Sequence, residues 1–124
     1  MANEISYTVS LACAKGTYFN QSRKPGSQAA DQATQGAAGD VQAIGFAADE
    51  VIAYGDLVAP RWCFLRNLDT TNYIKVGPTT GGAILEMIRL KPGESCLFPI
   101  GPSVVLRAQS AVAACNLEKF ILET

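Results

Sequence analysis

The chain contains no histidine. That removes the commonest general base, the usual zinc ligand and the one unperturbed side chain that titrates near neutrality. Serines such as Ser10, Ser22, Ser95, Ser103 and Ser110 are present, yet with no histidine and no G-x-S-x-G elbow none is set up as a nucleophile. No apolar run approaches the ~20 residues that a helix needs to cross a bilayer. Residues Met1 to Ser10 lack a charged segment followed by an apolar block, so no secretory signal is expected. Charge of one sign is nowhere concentrated: ten basic and eleven acidic residues give a net charge of −1, and Arg23-Lys24 is the one adjacent basic pair. The basic footprint of a nucleic-acid binder, an acidic tail and a polybasic membrane patch are all missing.

Close cysteine pairs are missing too. Cys13, Cys63, Cys96 and Cys115 are widely spaced, with no C-x-x-C, so no metal site is expected. Two disulfides are possible on count. With no secretory signal and a chain long enough to bury a core, small buried apolar side chains are the expected role.

What is present is a β pattern. At 124 residues, about half of them apolar, one domain over 1–124 is expected. From Phe64 to Glu123 short apolar segments alternate with turn signals at 67–72, 77–82, 91–94 and 101–102. Strands of this length and spacing predict an all-β fold, an antiparallel β-sandwich or jelly-roll-like barrel with eight or so strands. At Pro92-Gly93 a type II turn is expected, with Gly93 at positive φ. Glu4 to Cys13 alternates as one strand with Ile5, Tyr7, Val9 and Leu11 on a buried face. Val41 to Ala48 and Arg61 to Leu68 read as further strands. Between 21 and 40 the composition turns to Ala, Gln, Gly, Ser, Asp and Thr, with no aliphatic residue larger than Ala. That stretch is expected to be either a flexible N-terminal arm or loop, mobile in an isolated protomer, or an extended edge segment held by another chain in an assembly; a helix over 27–34 ranks behind. The expected core is Trp62, Phe64, Leu65, Ile74, Val76, Ile88, Leu90, Leu97, Phe98, Leu106, Leu117, Phe120 and Leu122. In the last strand Leu117 and Phe120 differ in parity, which a bulge or burial on both faces would reconcile.

Motifs that would carry chemistry are weak. Gly93, Pro99 and Gly101 match the G-x5-P-x-G spacing of the second cupin motif, but the metal-ligand positions that follow hold Val104 and Ala108. The stretch 77–82 resembles a phosphate loop without its Lys-Ser/Thr and is expected to be a hairpin. Carboxylates such as Asp49-Glu50 or Glu118 and Glu123 fit solvated surface positions better than a glycosidase dyad. No cofactor and no enzymatic activity are therefore expected. Tyr18 and Phe19 beside Arg23 and Lys24 fall outside a clean strand pattern and are the candidates for contact with a partner protein.

Three stretches carry a family resemblance: Phe64 through the Asn67-Leu-Asp turn to Gly77, Ile88 through Lys91-Pro-Gly-Glu94, and Leu117 to Glu123. Over about residues 47–123 the chain resembles small tailed-phage virion structural proteins of β-sandwich type. The resemblance implies a capsid decoration (cement) protein that bridges major capsid subunits and associates with itself, as a homotrimer. It implies location on the capsid surface of a virion assembled in the host cytoplasm; no nucleic-acid or membrane partner is expected, on the charge distribution given above. A head–tail connector, or a tail or fibre component binding a receptor or glycan, is the alternative.

Overall fold

The computed structural model describes residues 4–15, 19–30, 37–55, 57–80, 83–101 and 104–123. Among them all regular structure is β, the pairings are antiparallel, and no helix occurs. The chain divides into two compact units, Met1–Thr34 and Gln35–Thr124.

The first unit holds β1 (Ile5–Thr8), β2 (Leu11–Lys15), β3 (Phe19–Arg23) and β4 (Ser27–Ala30). β1 pairs with β4 and β2 with β3. The single strand expected over Glu4 to Cys13 is thus two. Ile5 is buried, but Val9 is exposed and Leu11 is 74% exposed. The pleat is interrupted at 9–10 and each half pairs with a different strand, so one buried face is not carried across.

The second unit holds β5 (Ala37–Ile44), β6 (Glu50–Val51), β7 (Pro60–Asn67), β8 (Ile74–Gly77), β9 (Thr79–Thr80), β10 (Ala83–Ile84), β11 (Ile88–Leu90), β12 (Ser95–Pro99), β13 (Arg107–Ser110) and β14 (Cys115–Glu123). Two four-stranded sheets form, β5-β14-β7-β12 and β6-β13-β8-β11, and β9 and β10 make a small hairpin. The stretch expected as an arm contributes part of β3, β4 and the first half of β5. Its small residues form strand because the neighbour supplies the side chains: Ala37, Ala38 and Gly39 lie opposite Leu122, Ile121 and Phe120.

Both sheets feed one core. Ile44, Leu65, Leu117 and Ile121 come from the first, and Ile74, Val76 and Ala108 from the second, with Ile52 between strands. Each large aliphatic side chain buried here contributes about 1.5–3 kcal/mol relative to exposure. This is a β-sandwich-like arrangement of layers. Of the expected core, Leu65, Ile74, Val76, Leu90, Leu106 and Leu117 are buried. Trp62, Phe64, Ile88, Leu97, Phe98 and Leu122 are only partly buried. Phe120 corrects the expectation: it is 49% exposed. β14 alternates without interruption from Cys115 to Leu122, so Leu117 faces inward and Phe120 outward. The one register shift falls at Leu122/Glu123, beyond both residues.

The Asn67-Leu-Asp and Lys-Pro-Gly-Glu turns form one assembly. Fully buried Asn67 donates through Nδ2 to the carbonyls of Asn72 and Leu90, both at 2.9 Å, and accepts the Asp69 N–H through Oδ1. Its main-chain N–H donates to the Glu94 carbonyl and its carbonyl accepts the Gly93 N–H. Gly93 has φ +79°, as the turn type requires. Asp69 Oδ2 accepts the N–H groups of Thr71 and Asn72, which hold its carboxyl below the usual range. Gly77, also buried, is packed so closely that a Cβ there would lie 1.8 Å from the Leu85 carbonyl oxygen.

Candidate functional site

Of the four expected contact residues, Tyr18 lies outside the described residues. Phe19 opens β3 opposite Lys15, and Arg23 closes it opposite Leu11. Arg23 is exposed and its Nη1 donates to the Ser22 carbonyl. Lys24 is exposed in the link that follows β3.

The outer face of the β5-β14-β7-β12 sheet is the feature that the sequence pattern does not announce. Pairing registers line up Pro99, Trp62, Leu122 and Ala37 in one row and Leu97, Phe64, Phe120 and Gly39 in the next. A third row holds Ser95, Arg66, Glu118 and Val41. The Phe120 ring lies over Gly39, where an added Cβ would be 2.9 Å from Cδ1. Arg61 sets its guanidinium 5.5 Å from the centroid of Trp62. An antiparallel sheet with one face on the core normally turns polar residues outward. Here aromatic and aliphatic side chains fill two of three rows, and Val41 at 52% exposure joins them from the third.

The outer face of the other sheet is polar. Arg89, Lys75 and Gln109 form one row, and Gly77, Arg107 and Val51 the next. Arg107 is held by Asp49, with Nε 2.7 Å from Oδ2 and Nη2 on the Asp49 carbonyl. Arg89 stacks on Tyr73 at 4.1 Å and pairs with Glu86, whose carboxyl it holds below the usual range. The sandwich therefore presents two chemically different outer faces.

Where the two sheets meet along β5 and β6, a polar seam runs inside. Lys119 is 3% exposed on the inward side of β14. Its Nζ donates to Gln42 Oε1 at 2.9 Å and to the Ala53 carbonyl at 2.6 Å, with Asp40 Oδ1 at 3.3 Å. Gln42 also spans to Glu50, to the Val51 carbonyl and to the Ala53 N–H. Glu123, buried on the same face of β14, accepts the N–H groups of Val58 and Ala59. Lys119, Gln42 and Glu123 each make at least one of these bonds to main chain, so the seam ties the 51–59 segment to β5 and β14. Sequence carried one signal of it: Lys119 shares parity with Leu117 and Ile121.

Titratable groups elsewhere are scattered. Among the described residues no three His, Cys, Asp or Glu side chains converge as a metal site. All four cysteines are free thiols. Cys63 and Cys115 are buried and Cys96 partly so, as expected of small apolar side chains, whereas Cys13 is exposed. Burial pushes the Cys63 thiol up to about 12 and that of Cys96 to about 11. At one end of the sandwich two clefts, about 490 and 560 Å³, flank the residues around Ile100 and Val105. Their walls are mostly apolar. In the first, Arg61 Nη1 donates to the Ile100 carbonyl, and the Tyr54 hydroxyl accepts the Leu106 N–H. No family model, no curated protein and no solved structure matches this chain.

Proposed function

We propose that this protein is a structural component of a tailed-phage virion, a capsid decoration protein that binds assembled subunits through the apolar outer face of its β5-β14-β7-β12 sheet. That face is the observation that carries the reading. Monomeric soluble proteins rarely leave a contiguous apolar patch larger than a few hundred Å² uncovered. Interface cores are enriched in aromatic residues and arginine, and the rows around Trp62, Phe64 and Phe120 bring these together with Arg61 and Arg66. Strand order favours the finer fold reading as a jelly roll. Numbering the eight sheet strands of the second unit in chain order gives 1-8-3-6 in one sheet and 2-7-4-5 in the other, the double Greek-key order of that fold. The turns tied together through Asn67 are the same two that carry the resemblance to phage virion proteins. On this reading the protein is not an enzyme, needs no cofactor, and works by covering and bridging neighbouring capsid subunits on the virion surface.

Copy number tests this directly. Quantitative mass spectrometry of purified particles should find hundreds of copies per virion. A few to a few dozen copies would assign the protein to the connector, tail or fibre instead. On empty capsids, Phe64→Asp combined with Phe120→Asp should abolish binding while the chain stays folded, because both side chains point away from the core.

A further inference from the structure

We propose that the free edge of β5 joins two copies of this chain, strand against identical strand, across a two-fold axis. The inference goes beyond the capsid reading and does not rest on it. An edge strand presents a row of main-chain N–H and C=O groups that another strand satisfies, and proteins blunt such edges with short strands, proline or charge. Of the four edges of the two four-stranded sheets, three are blunted in this way. β6 has two residues, β11 has three, and β12 ends in Pro99. β5 runs for eight residues with no proline and no basic side chain. Its one charge, Asp40, is engaged by Lys119. Among the described residues its strand neighbour is β14 alone. The alanines and glycine of β5 leave its main chain open to close approach.

A second copy is the occupant that fits, because the strand is complementary to itself. A two-fold perpendicular to the sheet keeps outer side chains outside and runs the strands antiparallel. Centred on Val41, it sets Val41 against Val41 of the partner subunit and Asp40 against Gln42 of the partner subunit. The same axis centred on Asp40 would oppose like carboxylates, which cross-strand pairing disfavours. With Val41 at the centre, residues 38–44 of both strands overlap. Two four-stranded sheets become one of eight, and the outer apolar rows run on across the seam. This edge builds a dimer; the homotrimer expected from the sequence resemblance would need a different surface.

Light scattering on the full chain should give twice the 13.1 kDa of one copy. Val41→Lys, which places two ammonium groups at the axis without touching the core, should halve that mass while the spectrum remains that of a folded β protein. Cys13 is exposed and is replaced first by Cys13→Ser. In that background Val41→Cys should cross-link into a covalent dimer when diamide oxidises the two thiols, whereas Val51→Cys, exposed on the other sheet, should not. A wild-type monomer or trimer, an unchanged mass in Val41→Lys, or no cross-link through position 41 overturns the proposal. If Val41→Lys fails to fold, the cross-link decides.

Discussion

Asn67→Ala should be among the most damaging single changes in the second unit. The substitution removes three side-chain hydrogen bonds, to Asn72, Leu90 and Asp69, each at 2.9 Å. In a folded protein each is worth ~1 kcal/mol net. Leu90 is 3% exposed, so its carbonyl would lose a donor that water does not replace, at a cost of about 1–3 kcal/mol. With that cost counted in place of the Leu90 bond itself, the sum, roughly 3–5 kcal/mol, is a large part of the ~5–15 kcal/mol that stabilises a typical domain. Asn67→Asp discriminates further. A carboxylate still accepts the Asp69 N–H, but it donates nothing and confronts two carbonyl oxygens with a negative charge. That variant should be no more stable than Asn67→Ala at neutral pH and should regain stability as acid protonates it and returns one donor. Thermal melts followed by circular dichroism read both effects, with a drop on the order of 15 °C for Asn67→Ala. A shift of Asn67→Ala below ~4 °C, or Asn67→Asp as stable as wild type at pH 7, would refute the idea that this side chain bolts two turns together.

Further outcomes follow from the same geometry. Gly77→Ala should force the 85–87 segment away from β8, breaking the Met87 N–H bond to Val76 and costing about 3 kcal/mol or more in a denaturant titration; a near-silent variant would mean that this segment yields freely. In the native protein a thiol reagent should label Cys13 quickly, and Cys63 and Cys115 only after unfolding. Alkali should destabilise the fold. Because burial raises Cys63 from 9.0 to about 12, its thiol stabilises fully below pH 9, and that contribution is lost progressively as pH rises from 9 towards 12 and the unfolded chain ionises first. Denaturant midpoints at pH 8 and pH 10 should differ accordingly, and Cys63→Val should shrink the difference. In acid, the depressed Asp69 contributes stability that is lost as pH falls through its folded value; Asp69→Asn should flatten the acid limb of a melting profile.

The sequence announced the β architecture because its turns are spelled out locally: Pro92-Gly93 sets its own dihedrals, and Asp69 accepts the N–H groups of Thr71 and Asn72, two and three residues on. Other features depend on what lies across a sheet, which no local pattern reports. Phe120 looks like core by composition, yet parity with Leu117 sends it outward, where Gly39 makes room for its ring. The first half of β5, residues 37–40, reads as a featureless arm because its own side chains are small, whereas its second half belongs to the strand expected from Val41; pairing with β14 gives the first half its reason to be strand. Val9 and Leu11 misled for the opposite reason: alternation continued through a point where the strand broke and changed partner. The apolar outer face was legible only in part. Trp62 and Phe64 share a parity in the sequence, but the facing of Leu97, Phe120 and Leu122 onto the same side needs the register.

Lys119 and Glu123 bear on how the fold finds its register. Simple alternation cannot distinguish the native pairing of β14 from one slipped by two residues, since the same face still points inward. A slip of two in either direction would carry the Lys119 ammonium away from the Ala53 carbonyl and from its place opposite Asp40, and Glu123 away from the amides of Val58 and Ala59. Leaving such a buried charge without its partners costs about 3–5 kcal/mol. The two charges thus act as teeth of a key, making misaligned sandwiches expensive even where their hydrophobic faces would fit.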